Sequence, residues 1–464
     1  MSSPRIPPGA PVPTSVADLV LRAAAVHTMA GAAPATALAV RDGRVLRAGT
    51  DAEVRELIGP GTQVLDLGDR AVLPGINDAH LHGAWLGALW PDTLFADDGA
   101  PGPGPEKPLR TAAERRAAIL RAGGILAALG ITSYTEPGLG PGEDDGHIGA
   151  FGMSVVEQYR ELAAEGLLRA RVTALWLYGE LDGPSTFDNF RAGLATVDGP
   201  GGDPLRLNFR GVKIFADGIP PMRSAYTHHC YADGSHAHLL VGGADDPERE
   251  ENFTRMVRTA HEAGLQVGVH ATGDRAIELM LDAVEQAREE RDVDLGHYVI
   301  HGDLVNTAQL KRMARLGVGL SAQAGIAVRT ASVVDAALGE GSSATAWPLQ
   351  EALDAGIPLC LTSDAPVLPP DWRKEIAAAD QWMGPAEDVR QRMETLLRCY
   401  TVHPAQQDGA ASWKGTLAPG MAADLCVLSA DPFAVTPAEL PSVEVDLTVL
   451  DGQIVFERTP GTIA

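Results

Sequence analysis

Between Leu73 and about residue 404 the chain repeats one pattern, a short β-rich apolar run followed by a longer Ala-rich amphipathic stretch. The runs are VLPGIND, ITSYTE, RVTALWLY, GVKIFAD, QVGVHAT, HYVIHG, VGLSAQ and PLCLTSD, and the stretches between them include TAAERRAAILRAGGILAAL and DRAIELMLDAVEQARE. Such alternation predicts parallel βα units, and eight of them predict an α/β chain closed into a (β/α)8 TIM barrel. At 464 residues the chain accommodates that barrel with a small companion, and 45% hydrophobic against 21% charged residues supply a sizeable core.

The two ends have a different texture. ADLVLRAAAVHTM, ALAVRDGRVLRAG and TQVLDL alternate like short strands, with Asp42-Gly43 as a hairpin turn; DLCVLS and DLTVLDGQIVFER repeat that texture, with Asp451-Gly452 as the turn. Two half-sheets, 1–73 and 405–464, therefore flank a barrel over 74–404, and can pair. Residues 1–15 read as a loose arm, and 98–108, 137–149 and 219–245 as loops. No apolar run approaches the roughly 20 residues of a membrane span, and the start lacks a secretory apolar region, so a cytoplasmic address is expected. A net charge of −24 excludes phosphate backbones and anionic membranes as natural partners. Cys230, Cys360, Cys399 and Cys426 are too few and too scattered for a disulfide framework or paired-Cys zinc site, which predicts reduced, mostly buried thiols.

A barrel works at the C-terminal ends of its strands. The first run leads into Asp78-Ala79-His80-Leu81-His82, where two histidines at i, i+2 point the same way from an extended chain, which is ligand spacing for one metal. The fourth run carries Lys213, the fifth ends at His270, the sixth at His301 and the eighth at Asp364. Singly, each has a plainer reading: a hydrogen-bonded histidine, a Lys213 paired with a carboxylate such as Asp217, an Asp364 capping the next helix. Jointly, four of the 13 histidines fall at three matching barrel positions.

These segments resemble the amidohydrolase superfamily and, within it, the amidohydrolase-3 (YtcJ-like) branch: VLPGINDAHLHG, GVKIFADG, HATGDRAIE, LTSDAPV and GTLAPGMAADLCVLSADP all match its motifs. The resemblance spans nearly the whole chain and implies a (β/α)8 barrel with a small β-sandwich built from both ends. It implies that His80 and His82 bind a buried metal, that a carbamate on Lys213 bridges two divalent metals, and that His270 and His301 bind the second. Asp364 would touch the buried metal and the attacking hydroxide, acting as general acid and base. Zinc is the first expectation for the metal, and manganese, iron or nickel suit the same ligands. There are departures from the branch: Ile300 precedes His301, Gly302-Asp303 follow it, and Ser-x-Gln-Pro appears as Ser321-Ala322-Gln323-Ala324. Arg223, in Arg223-Ser224-Ala225, reads as a substrate contact or a surface salt bridge, Gln323 as a substrate contact, and Trp85 with Trp90 as an apolar pocket wall or plain packing. His228, His229, His236 and His238 read as substrate contacts or, less simply, an additional metal site.

The expected activity is metal-dependent hydrolysis of a C–N bond in an amide, cyclic amide or N-acyl or N-formyl compound, the substrate a small molecule. One alternative is a mononuclear deaminase of a ring substrate; another is a non-catalytic binding protein on the same fold. Lys213 argues against the first and the intact histidine set against the second. A homo-oligomer is left open.

Overall fold

The structure, a computed structural model, describes residues 16–31, 34–95, 108–196, 201–203 and 205–458. Eight parallel strands form the barrel, and we number them β1 (Ile76–Asp78), β2 (Ile131–Leu139), β3 (Arg171–Leu177), β4 (Leu207–Phe215), β5 (Gln266–Ala271), β6 (Tyr298–His301), β7 (Gly319–Ala322) and β8 (Leu359–Leu361). Most are buried along their full length, as expected when helices cover the outer face and side chains fill the inner one, which is why they read as continuous apolar runs. A short strand, Gly201–Asp203, pairs antiparallel with the start of β4.

The barrel closes between β8 and β1 through segments just outside the two strands. At the lower end Leu361 donates to the Cys399 carbonyl and Asn77 to that of Tyr400; at the upper end Asp364 N–H donates to His80 O at 2.9 Å and His82 N–H to Ala365 O at 2.7 Å. Residues expected to bind metal thus also complete the barrel wall.

Both chain ends join in one β unit, as the resemblance implied for its small β-sandwich, and that unit is a mixed eight-stranded sheet. Ala71–Pro74 is its joint: it pairs parallel with Leu19–Val26 and antiparallel with Leu425–Leu428, with Val72 opposite Val427. Gly75 then turns the chain into β1, where a Cβ would lie 2.0 Å from Thr132 Oγ1, so no other residue passes there. Leu21, Leu38, Val72, Leu425 and Val449 form the core of this sheet.

The expected helices over 111–129 and 274–289 are present as Ala112–Ala128 and Asp274–Glu290. One expectation fails: 137–149 is not loop throughout. β2 runs on to Leu139 because Pro137 and Leu139 still pair with β3 across an irregularity at Gly138, which absorbs the missing proline N–H. The stretch 219–245 is irregular apart from a 3-10 turn at Pro220–Met222. The expected arm 1–15 and all of the expected loop 98–108 except Pro108 lie outside the described residues. All four cysteines are free, three buried and Cys230 exposed. No helix among the described residues is long and apolar enough to cross a membrane.

Candidate metal centre at the barrel mouth

The six side chains expected at the mouth are buried, Lys213 included at 2% exposure. Ligand atoms of His80, His301 and Asp364 lie within 4.8 Å of one another, the tightest such group among the described residues. Asp364 Oδ1 is 3.1 Å from His80 Nε2 and 3.6 Å from His82 Nε2. The His301 ring lies 4.4 Å from that of His270 and 5.4 Å from that of His80, centroid to centroid.

Acceptors beside three of the four imidazoles fix which nitrogen each of those presents. His82 Nδ1 donates to Glu136 Oε1 at 3.0 Å, leaving Nε2 toward Asp364. His301 Nδ1 donates to Gln323 Oε1 at 2.8 Å, and the Gln323 amide is oriented in turn by donating to Thr362 Oγ1 at 2.7 Å. His270 Nε2 donates to the Gly218 carbonyl at 3.1 Å, leaving Nδ1 for the site. His80 Nδ1 is buried with no partner. Burial holds His80 and His270 well below the usual histidine range and pushes His301 down to about 3, so their lone pairs are free at neutral pH. Neutral imidazoles aimed at one carboxylate, one with an orphaned nitrogen, are the donor set a divalent metal takes.

The backbone is held in unusual conformations here. Of the eight non-glycine residues with positive φ among the described residues, His301 (72°) and Asp364 (55°) belong to the donor set, and Asp182 (51°) and Arg223 (54°) to loops beyond β3 and β4. Non-glycine residues in the left-handed region carry strain that the surroundings must impose, and here they gather at the mouth.

Two plainer readings of single residues are corrected. The helix after β8, Trp372–Met383, is capped by Asp371, whose side chain accepts from Arg373 N–H, so Asp364 is no helix cap. Asp217 does not pair with Lys213; its carboxylate accepts from the backbone N–H of Tyr226 (2.8 Å), Thr272 (3.0 Å) and Gly273 (2.8 Å), tying the loop after β4 to the end of β5. The Lys213 ammonium lies 4.5 Å from the Phe215 ring centre, and burial brings its pKa down to about 8.

The expected substrate contacts are spread more widely. Trp85 sits beside the site, 6.0 Å from the His82 ring and 5.7 Å from Phe151, its indole N–H buried without a partner. Gln323 stands behind His301. Arg223 forms an ion pair with Asp233 at 3.2 Å, both partly exposed. The four loop histidines do not converge: His228 meets Glu278, His236 meets Cys230 Sγ, and His238 meets Asp246.

Three residues escape a reading from sequence. Glu136 lies within β2, three residues before its end, and besides holding His82 it accepts from Gly83 N–H at 2.7 Å and Tyr159 O–H at 3.2 Å. A Cβ on Gly83 would lie 2.6 Å from Tyr159 Oη and 2.7 Å from Tyr134 Oη, so glycine is what lets both tyrosines reach this corner. The run ITSYTE ends at Glu136, so the run-end rule that found His270 and His301 is a signal for Glu136 too. Asp78 accepts from Ser363 Oγ at 2.6 Å and from His80 N–H at 3.2 Å, joining the ends of β1 and β8. Asp182, beyond β3, is exposed, and the protein packed around it raises its pKa while the Lys213 and His82 charges pull it down and Asp364 pushes it further up; no motif marks it.

The model of the Amidohydrolase family matches residues 93–456. The chain belongs to this family. Among curated amidohydrolase relatives, a putative amidohydrolase, YtcJ, of Bacillus subtilis is 30% identical over 54% of this chain and 48% of its own length. An N-substituted formamide deformylase of Arthrobacter pascens is 32% identical over 55% and 48%. The chain thus matches about half the length of each. The amidohydrolase barrel described above is also that of an uncharacterized metal-dependent hydrolase from Pyrococcus furiosus, with TM-score 0.71 and 22% identity over 89% of this chain and 99% of that one.

Proposed function

We propose that the protein is a metal-dependent amidohydrolase that cleaves a C–N bond of a small amide, cyclic amide or N-acyl compound, with N-formyl amines foremost. The observation that carries this is the convergence of His80, His82, His270 and His301 with Asp364 at the barrel mouth, each buried and three with their presented nitrogen fixed. The N-substituted formamide deformylase relative supports the N-formyl class.

In this reading His80 and His82 hold one divalent ion, zinc first, and His270 and His301 a second. When bound, such ions lower the pKa of water and polarise the scissile carbonyl. Asp364, within reach of both His80 and His82, takes the proton from water and passes it to the leaving nitrogen. Lys213 joins the two subsites as a carbamate: its neutral amine adds to carbon dioxide, forming an N–C bond and releasing one proton. Burial favours that neutral amine, and a bare ammonium would repel metal by roughly 4 kcal/mol per unit charge at about 4 Å and an effective dielectric of 20.

A mononuclear site is the second reading, because the tightest donor group, His80, His301 and Asp364, draws on both proposed subsites. Elemental analysis with turnover of an N-alkylformamide panel decides. About two metals per chain, amine release and its loss on chelation are expected; one metal favours the mononuclear site, and turnover without stoichiometric metal overturns both. Lys213→Ala should lose metal and turnover together and recover partly with short carboxylic acids. Full metal and normal turnover in that variant would remove the carbamate.

A further inference from the structure

Beside the mouth, among the segments that follow β4 to β8, lies a cavity of about 800 Å³ to which none of the six metal-set residues contributes. Its volume falls in the range of about 300–1,000 Å³ typical of small-molecule sites. The floor is aromatic and fixed. Trp347, 2% exposed, donates from its indole nitrogen to Asp303 Oδ1 at 2.9 Å and from its backbone to Asp303 O at 2.7 Å. Trp382 donates to the Trp347 carbonyl at 3.0 Å and stands edge-on to that ring, with centroids 5.5 Å apart. Both indole N–H groups are therefore committed, and the half-buried Trp382 has ring surface, not a donor, to offer. Leu304, Leu338 and Met383 extend the apolar lining.

The charge of the lining has one sign. Asp274, Glu351 and Asp354 contribute carboxylates, and no lysine or arginine is among the described lining residues. Asp274 accepts from His228 N–H and Asp354 from the Gln350 amide, while the Glu351 carboxylate has neither hydrogen bond nor ion pair among the described residues. An aromatic surface beside unneutralised carboxylates attracts a cation with an apolar body: the ring face and the carboxylate act on the same positive charge, and the apolar wall takes the rest. An anion would meet the repulsion of three carboxylates against neutral donors such as Asn306 and Ser342, and a neutral molecule would forgo both attractions. We infer that this cavity is a second small-molecule site, which takes a protonated primary amine carrying a compact aromatic or branched apolar group. The inference is independent of the hydrolytic reading, since it uses no metal ligand.

Calorimetric titration of the metal-loaded protein with benzylammonium chloride at neutral pH tests it, with benzyl alcohol and benzoate as neutral and anionic controls. Saturable binding is expected, about tenfold tighter for benzylammonium than for benzyl alcohol and absent for benzoate. Trp382→Ala should weaken it about tenfold and Glu351→Gln several-fold, with metal content unchanged in both. Glu351 is exposed, so its variant reports even if Trp382→Ala fails to fold. Equal affinity for the amine and the alcohol, no saturable binding in the millimolar range, or binding that Glu351→Gln leaves intact would each overturn the site.

Discussion

Asp364 is held in the left-handed region, with one oxygen facing two imidazoles and its backbone N–H closing the barrel onto His80. Asparagine tolerates that conformation and keeps the size, so Asp364→Asn separates chemistry from architecture. Its urea midpoint should stay near that of the parent while kcat falls by about 10²–10⁴-fold, the share of a positioned acid–base group. Near-normal turnover would leave Asp364 a structural residue. Glu136 acts one step removed. Its carboxylate can only accept, which sets the His82 proton on Nδ1 and its lone pair on Nε2. Glu136→Gln keeps the shape but can turn a donor toward Nδ1, so metal affinity should weaken by about 10–100-fold, read by competition with a chromogenic chelator. Affinity equal to that of the parent would show that the ring needs no such partner.

A second pair of histidines links the element Asp246–Glu262 to the lower end of the barrel, far from any metal role. Val267 N–H donates to His297 Nδ1 at 2.9 Å, so His297 donates from Nε2 to His261 Nδ1 at 2.8 Å, and His261 Nε2 donates to the Arg291 carbonyl at 2.8 Å. The series works only with both rings neutral, and burial first, with His261, Arg288 and Arg210 nearby, pushes His297 down to about 3. A histidine that resists protonation in the fold accepts its proton on unfolding. Its stabilising contribution is thus complete above the ordinary histidine pKa and declines as pH falls from there toward 3, at up to about 1.4 kcal/mol per unit. His297→Asn should cost stability at pH 7 and close the gap to the parent as pH drops below 6.5, measured by urea unfolding; a gap that stays constant with pH would show that His297 titrates as in the unfolded chain. No motif in the sequence announced this pair, whereas all eight barrel strands were legible, because a strand buried on both faces must be written as an apolar run. The ends of those runs gave His270, His301 and Asp364 directly. What the sequence left unread depends on distance along the chain: Glu136 matters through His82, 54 residues earlier, and His270 is oriented by a backbone carbonyl that no side-chain pattern records. Asp364 and Asp371 both precede a helical stretch, and only folding shows that the cap is Asp371.

At the scale of the whole molecule, the sheet built from the chain ends braces the bottom of the barrel. Arg171, at the start of β3, donates from Nε and Nη2 to both oxygens of Asp424 at 2.7 and 2.9 Å, with its side chain 3% and that of Asp424 7% exposed. Asp424 also accepts from the Asp451 backbone, and its own carbonyl accepts from Gly75 N–H, the link between sheet and barrel. The Asp424 carboxylate thus joins β3 to the hairpin at Asp451, while its main-chain carbonyl holds the entry to β1. Replacing a buried ion pair by apolar groups can be neutral, but removing one partner strands the other's charge, a loss of about 3–5 kcal/mol. Asp424→Ala should therefore lower the urea midpoint strongly. The mouth lies at the opposite end of β3, seven residues or about 20 Å away, so the folded fraction should keep its metal and its turnover per bound metal. Loss of metal at unchanged global stability would mean instead that the lower sheet sets the geometry of the mouth, and an unchanged midpoint with full metal would mean that Asp451, which also meets the Arg171 guanidinium at 3.4 Å, neutralises it alone.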